Sequence, residues 1–333
     1  MIQQVHSHPD IYRIRVDLPD NPLQYLNAYV IKGVSGNLVF DTGFNRPECK
    51  RALCQGLQEL DIRLQSDTSL FITHLHADHS GLVGLFAQAG CPIYMHPVDY
   101  QYLVDSEDGS TWKAAEDNFM REGMPPAEIK TQFSNQARTF SPDPHFPVNP
   151  VHDGDCLHLA GCDLQVIHTP GHRPTRGHPP GLCCLYLPKE EVFFTSDHIL
   201  FDITPNIQVW YHMKQALQRY LESLQKVREL PVRLALPGHR EGDTSIAGRI
   251  DEIVAHHDRR LAEICHLAGL YPHSTAYDIA PHMTWSMRGK QWKDFPPTQK
   301  WFALGETLAH IEYLVDHGVL CCRDRKGTGL PPL

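Results

Sequence analysis

THLHADHSG, residues 73–81, places His74, His76, Asp78 and His79 within six positions. Imidazoles and carboxylates are costly to bury without partners. Here four of them crowd the end of an apolar run, SLFIT (69–73), so the stretch needs something for them to hold. The spacing differs from the helical H-E-x-x-H zinc pattern. In an extended loop, histidines at i and i+2 point the same way and can share one metal ion. Once the chain turns, Asp78 and His79 can face a second.

Reading outward from this stretch gives the fold class. Upstream, IYRIRVDL (11–18) and YLNAYVIKG (25–33) alternate like strands, and LVFDTG (38–43) is a short apolar run ending in Asp41. PECKRALCQGLQEL (47–60) has helical spacing with Pro47 at its start. Downstream, GLVGLFAQAG (81–90) reads as a short helix and CPIYMH (91–96) as the next strand. Strand signals resume in CLHLAGCDLQVIHT (156–169), LCCLYL (182–187) and EVFFTSD (191–197). A helix over 213–229 and the strand of LALPGH (234–239) close the region. Strands alternating with helices predict an α/β sandwich whose functional residues sit on loops at strand ends. Residues 100–150 are polar, carry Trp112 and Phe119 among charges, and end in SPDPHFPVNP, which reads as a cap inserted over a cleft.

The strand ends supply further ligands: His172 in HTPGH, Asp197 in FFTSDH and His239 in LPGH. A carboxylate such as Asp197 can bridge two divalent ions, and two ions about 3.5–4 Å apart polarise a shared water. Four separate stretches that each end an apolar strand with a metal-binding residue type point to one site.

THLHADHSG, HTPGH, TSDH and LPGH, in that order, resemble the metallo-β-lactamase superfamily, as do LNAYVIKG and LVFDTG at the front. The resemblance covers roughly residues 10–242 and implies an αββα sandwich with the site at the open edge between two sheets. It implies one metal on His74, His76 and His172, a second on Asp78, His79 and His239, Asp197 as the bridge, and Asp41 behind the ligands. SDHILFDITPNI and FALGETLAHIEYLVDHG further resemble members that carry a C-terminal winged-helix domain. The expected domains are therefore a catalytic unit over 1–244, with the cap at 100–150, and a winged helix over 245–333. The helices of that second unit are expected over 246–269, 274–283 and 298–318, with a β-wing in VLCCRDRKGTG (319–329). Two departures from the family pattern stand out: extra residues after TPGH that bring in His178, and Ser196 where glycine is common.

The implied chemistry is hydrolysis of a small ester, thioester or lactone by a hydroxide shared between two divalent transition-metal ions. Zinc is the first expectation, and iron and manganese suit the same donors. Asp78 is the expected proton acceptor, and His198 and Tyr211 the expected substrate contacts. The alternatives are a metal-dependent ribonuclease or phosphodiesterase and a non-haem iron oxidoreductase.

Composition bounds these readings. The 333 residues carry a net charge of −9, and the segment from 249 to 326 has ten basic against ten acidic residues, whereas nucleic-acid modules show a basic surplus. The expected partner is therefore a small-molecule substrate, with nucleic acid disfavoured and a homodimer allowed. Trp285 and Trp292, in HMTWSMRGKQW (282–292), look exposed and suited to walling a cleft. No leader and no run of about 18 apolar residues is visible, so no membrane contact is expected. Ten cysteines without a C-x-x-C pair suggest reduced thiols in a cytoplasm.

Overall fold

The computed structural model describes residues 2–171, 181–209, 215–242, 245–286 and 289–321. Two strands show how its layers form. In β3 (Tyr25–Gly33), Leu26, Ala28 and Val30 enter one apolar cluster, while Tyr29 and Ile31 enter another. Side chains two apart share a face of a strand, so β3 is covered on both sides. In β10 (Cys183–Leu187) the split is the same, with Cys183, Leu185 and Leu187 on the second cluster and Cys184 and Tyr186 on a third.

These three clusters are the three interfaces of a four-layer sandwich. The first sheet runs β1 (Ile2–Ser7), β2 (Asp10–Asp17), β3, β4 (Gly36–Phe40), β5 (Thr68–Phe71), β6 (Ile93–Met95) and β7 (Asn149–Pro150), with neighbours in chain order. Its first four strands pair antiparallel and the rest pair parallel. The second sheet is ordered β12 (Leu234–Pro237), β11 (Val192–Ser196), β10, β9 (Cys162–His168) and β8 (Cys156–Leu159). β12 lies parallel to β11, and the remaining pairs are antiparallel. Between the sheets Phe40 and Phe194 stack with ring centroids 4.0 Å apart. α1 (Pro47–Glu59) and α3 (Val83–Gln88) cover the first sheet through Leu53, Leu57, Val83 and Phe86.

α8 (Ala216–Arg228), α9 (Ile246–Leu270) and α11 (Pro297–Asp316) cover the second sheet. Tyr220, Leu224, Ile250, Ile253, Trp301 and Leu304 join Tyr186 and Phe193 in one cluster, so the C-terminal helices share their core with the sheet. The three expected C-terminal helices are present, although the middle one is short: α10 (Ala276–Ile279) runs into a 3-10 turn at Ala280–His282. Its capping box is Thr275 with Asp278. Among the described residues no strand follows β12, and the expected wing lies mostly outside them.

The segment expected as a polar cap is helical, with α4 (Pro97–Asp105), α5 (Ser110–Arg121), α6 (Pro126–Lys130) and α7 (Gln136–Thr139). It bridges two regions of the molecule. Phe119 is buried, with its ring 4.1 Å from that of Trp301 on α11, and Lys300 pairs with Glu128 at 2.7 Å. At its other end α7 lies against α2 (Ala77–Ser80), the short helix that carries Asp78 and His79. Trp285 and Trp292 are half-buried rather than exposed. Among the described residues no helix is long and apolar enough to cross a membrane, and nine cysteines are free thiols.

Candidate metal centre

Each candidate ligand within the described residues stands just past the end of a strand. His74 and His76 follow β5, and the chain then turns into α2 to present Asp78 and His79. Asp197 follows β11 and His239 follows β12, so the two sheets deliver their groups to one edge of the sandwich. His74, His79, Asp78, Asp197 and His239 are all buried.

These side chains form two groups. Ligand atoms of His74, His76 and Asp197 lie within 4.8 Å of one another, as do those of Asp78, His79 and His239. Asp197 Oδ1 also stands 3.5 Å from the Nε2 atoms of both His79 and His239, so it belongs between the groups. This is the division expected from the sequence, apart from His172, which lies outside the described residues together with His178 and Tyr211.

The hydrogen bonds fix the histidine tautomers. His79 Nδ1 is 2.8 Å from Asp41 Oδ2 and His239 Nδ1 is 2.7 Å from the Tyr25 carbonyl, and both of those partners can only accept. The hydrogen of each neutral ring therefore sits on Nδ1. Both Nε2 atoms carry lone pairs, yet they face each other at 3.3 Å, with Asp78 Oδ2 3.3 Å from the Nε2 of His239. Lone pairs crowded so closely need either added protons or a cation. Burial opposes protonation of His79, but Asp197, Asp41 and Asp78 outweigh it and raise its pKa well above the usual value. Burial would likewise raise the Asp197 carboxyl, but His239 and His79 hold it well below the ordinary range. Ionised carboxylates and neutral-tautomer imidazoles on shared points fit a divalent transition-metal ion.

Thr73 supports this arrangement. Its hydroxyl lies 2.8 Å from Asp41 Oδ2, 3.1 Å from His74 Nδ1 and 2.7 Å from Ser196 Oγ. A hydroxyl has one hydrogen to give and can accept two. Donation to Asp41 therefore leaves His74 Nδ1 and Ser196 as its donors, and His74 keeps Nε2 for a metal. Asp41 and Ser196 adopt left-handed backbone conformations, with φ of 58° and 47°. Strain of this kind concentrates where a strand end must aim a ligand. Serine at 196 thus adds a hydrogen bond that glycine lacks.

Sequence reading missed three further supports. Thr73 gave no signal beyond its place in front of His74. Asn27 sits mid-strand, and its amide donates to the carbonyls of Pro237 and Arg240 on either side of His239; a buried asparagine in an apolar strand was the available clue. Asp99 accepts from the amides of Leu75, between the first two histidines, and Gly181, at 2.8 and 2.7 Å, and no local pattern marks that role. His198, expected to touch substrate, is fully buried, with its ring 5.4 Å from that of Tyr220.

The sequence profile described as "Metallo-beta-lactamase superfamily" matches residues 22–239, about two thirds of the chain, from β3 to the last ligand. The chain belongs to the metallo-beta-lactamase superfamily. Within it, this protein is similar to an "Atrochrysone carboxyl ACP thioesterase" of Aspergillus fumigatus. That relative is 22% identical over 272 residues, which cover 78% of this chain and 69% of the relative. A lactamase-like protein of Emericella nidulans is 21% identical across 73% of this chain, which spans only 60% of it. A metallo-beta-lactamase family protein of Thermus thermophilus superposes with a TM-score of 0.77 at 27% identity, covering 96% of this chain and 97% of that one. A beta-lactamase domain protein of Burkholderia ambifaria shares the fold with a TM-score of 0.82 at 24% identity, over 99% and 93% of the two chains. Those coverages reach beyond residue 239, so the superfamily fold with its C-terminal helices is common to all three.

Proposed function

We propose that this metallo-beta-lactamase-fold hydrolase cleaves a thioester at a dinuclear metal site. The observation that carries the proposal is the pair of donor groups, buried except for the half-buried His76, with Asp197 between them. The named thioesterases among its relatives favour a thioester over the ester and lactone that the same site would accept. His74, His76 and Asp197 would hold one ion, joined by His172, and Asp78, His79, His239 and Asp197 the other. Zinc suits these donors, as do iron and manganese.

When bound, such ions lower the pKa of water towards neutrality and polarise an acyl carbonyl. The protein's own part is orientation and proton handling. Asp41 and the Tyr25 carbonyl keep His79 and His239 in the tautomer that presents Nε2. Asp78, ionised and 3.3 Å from His239, is placed to take the proton released by the attacking water. Helices α4–α7 and the C-terminal helices wall the cleft and set the size of the acyl group. We read α9, α10 and α11 as the helical part of a winged-helix unit used for packing rather than for nucleic acid. The working form is read as a cytoplasmic protein, monomeric or homodimeric, acting on a small-molecule substrate.

The test is a panel of acyl thioesters, p-nitrophenyl esters, lactones and RNA given to metal-loaded protein. Thioester turnover that disappears on chelation and returns with a divalent metal is the expected result. RNA cleavage without thioester turnover would replace this reading with a nuclease.

A further inference from the structure

Of the buried side chains on α8, only Tyr220 and Ser223 are polar. Both turn their hydroxyls on carbonyls that lie past strand ends. Tyr220 Oη donates to the His198 carbonyl at 2.9 Å. Ser223 Oγ lies 3.0 Å from the Pro170 carbonyl and 2.8 Å from that of Tyr220, so its hydrogen is shared between them. One turn further, Lys226 Nζ donates to the His168 carbonyl at 3.0 Å and pairs with Asp153 at 2.6 Å. Residues three apart share one helix face, so Tyr220, Ser223 and Lys226 form a single row of donors. Gly171 fits against the same row: its φ is 124°, and a Cβ there would come within 2.4 Å of the Tyr220 Cα.

The two segments held in this way carry proposed metal ligands. Residues 168–171 run directly into His172, and His198 follows Asp197. Asp197 sits inside a closed turn, in which the His198 amide donates to the Thr195 carbonyl at 3.0 Å and the Thr195 hydroxyl to that of Ile199 at 2.8 Å. Such a turn moves as a unit, so whatever holds the His198 carbonyl also aims the Asp197 carboxylate. Burial pushes the Tyr220 phenol up, so it remains a donor near neutral pH.

The ends of α8 are fixed from the C-terminal helices. At its start the Gln215 amide donates to Glu312 Oε2 on α11 at 3.1 Å, where a carboxylate also suits the helix dipole. At its far end Arg228 contacts both carboxylate oxygens of Asp251 on α9. In between, the Tyr220 ring stands edge-on to His257 of α9, with centroids 5.6 Å apart.

We propose that α8 is a splint for the metal centre, with Tyr220 as the positioning residue that sets Asp197 and, with Ser223, the approach to His172. The C-terminal helices then contribute to metal binding although they supply none of the proposed ligands. The splint needs the metal site of the proposed function, whatever its substrate.

Cobalt(II), whose visible absorption reports its coordination, tests this in the full-length protein. Tyr220→Phe keeps the ring and removes the hydroxyl. Groups that support metal ligands contribute about 10–100-fold in affinity, so the variant should release cobalt to a chelator about tenfold faster and shift the absorption. Ser223→Ala should act in the same direction, and the double variant should exceed either. Leu224→Val, in the apolar part of the same helix, should lower the midpoint in urea while release and absorption stay as in wild type. Circular dichroism checks that each variant is folded. Wild-type release and absorption in Tyr220→Phe would overturn the proposal, as would equal acceleration in Leu224→Val, which would make the effect one of stability alone. Wild-type protein that retains no cobalt would sink the metal site and the splint together, whereas failure of the variants alone leaves the proposed function standing.

Discussion

Single hydrogens decide how the centre is built, because the position of each Nδ1 proton determines which nitrogen remains for a metal. Thr73 has the most to answer for: one hydroxyl connects Asp41, His74 and Ser196. Thr73→Val keeps the shape and removes the hydroxyl. It should cost about 1–3 kcal/mol of stability, the range for leaving buried partners unmet, read as a lower midpoint in urea. It should also weaken metal retention against a chelator, because His74 is then free to change tautomer. Asp197→Ala should lower both metal equivalents, measured by elemental analysis, and abolish turnover. Full occupancy with unchanged activity would show that another carboxylate occupies the shared position. The cluster of candidate ligands was legible in the sequence because metal-binding residue types gather at strand ends. The supports were not, since Thr73, Asn27 and Asp99 act through backbone groups distant in the chain, and such partners leave no spacing to read.

Elements place these residues through their ends. Gly238 lies between β12 and His239, and a Cβ there would meet Asp197 Oδ1 at 2.6 Å, closer than real Cβ atoms come, and the His79 ring at a tight 3.0 Å. Gly238→Ala should therefore leave the circular dichroism spectrum intact while loosening the metals, and an unchanged metal content would refute that. At the end of β6, His96 caps α4 by accepting from the Val98 amide and stacks on His168, with centroids 4.6 Å apart. Burial, followed by repulsion from His168 and His152, lowers its pKa from 6.5 to about 4. Because the folded value lies below the unfolded one, this group's contribution is complete above pH 6.5 and is lost as pH falls from 6.5 towards 4. His96→Asn retains a capping acceptor but does not titrate. The stability gap between wild type and variant should therefore narrow across that window, and a constant gap would exclude His96 as the cause. Most strands and long helices were legible because their apolar residues recur at two or 3.6. β1 was not: it is an edge strand of mostly polar, partly exposed residues, and pairing with β2 rather than pattern makes it a strand. The helices of the 100–150 insertion were hidden similarly, because their burial depends on Trp301, some 180 residues later in the chain.

For the molecule as a whole, the C-terminal helices cover the second sheet and share a core with α8, where the sequence alone suggested a detachable unit. Removing residues 245–333 would bare Tyr220, Leu224 and Phe193, so the truncated chain should be recovered as insoluble protein. A soluble truncation that still binds two metals would show the sharing to be superficial. Trp301→Ala, which empties the contact with Phe119, should cost about 3–5 kcal/mol, seen as a large fall in melting temperature. The metal centre also draws on both sheets, and His79 and His239, one from each, are 160 positions apart in the chain. An ion held by both would be a rivet through the sandwich. Stretched from its two ends, a loaded molecule should yield its outer segments first and then stall at the rivet. The enclosed 160 residues amount to roughly 530–580 Å of hidden contour length at about 3.3–3.6 Å per residue. That length should appear in a separate late step at high force, whereas a chelated molecule should give it up with the rest.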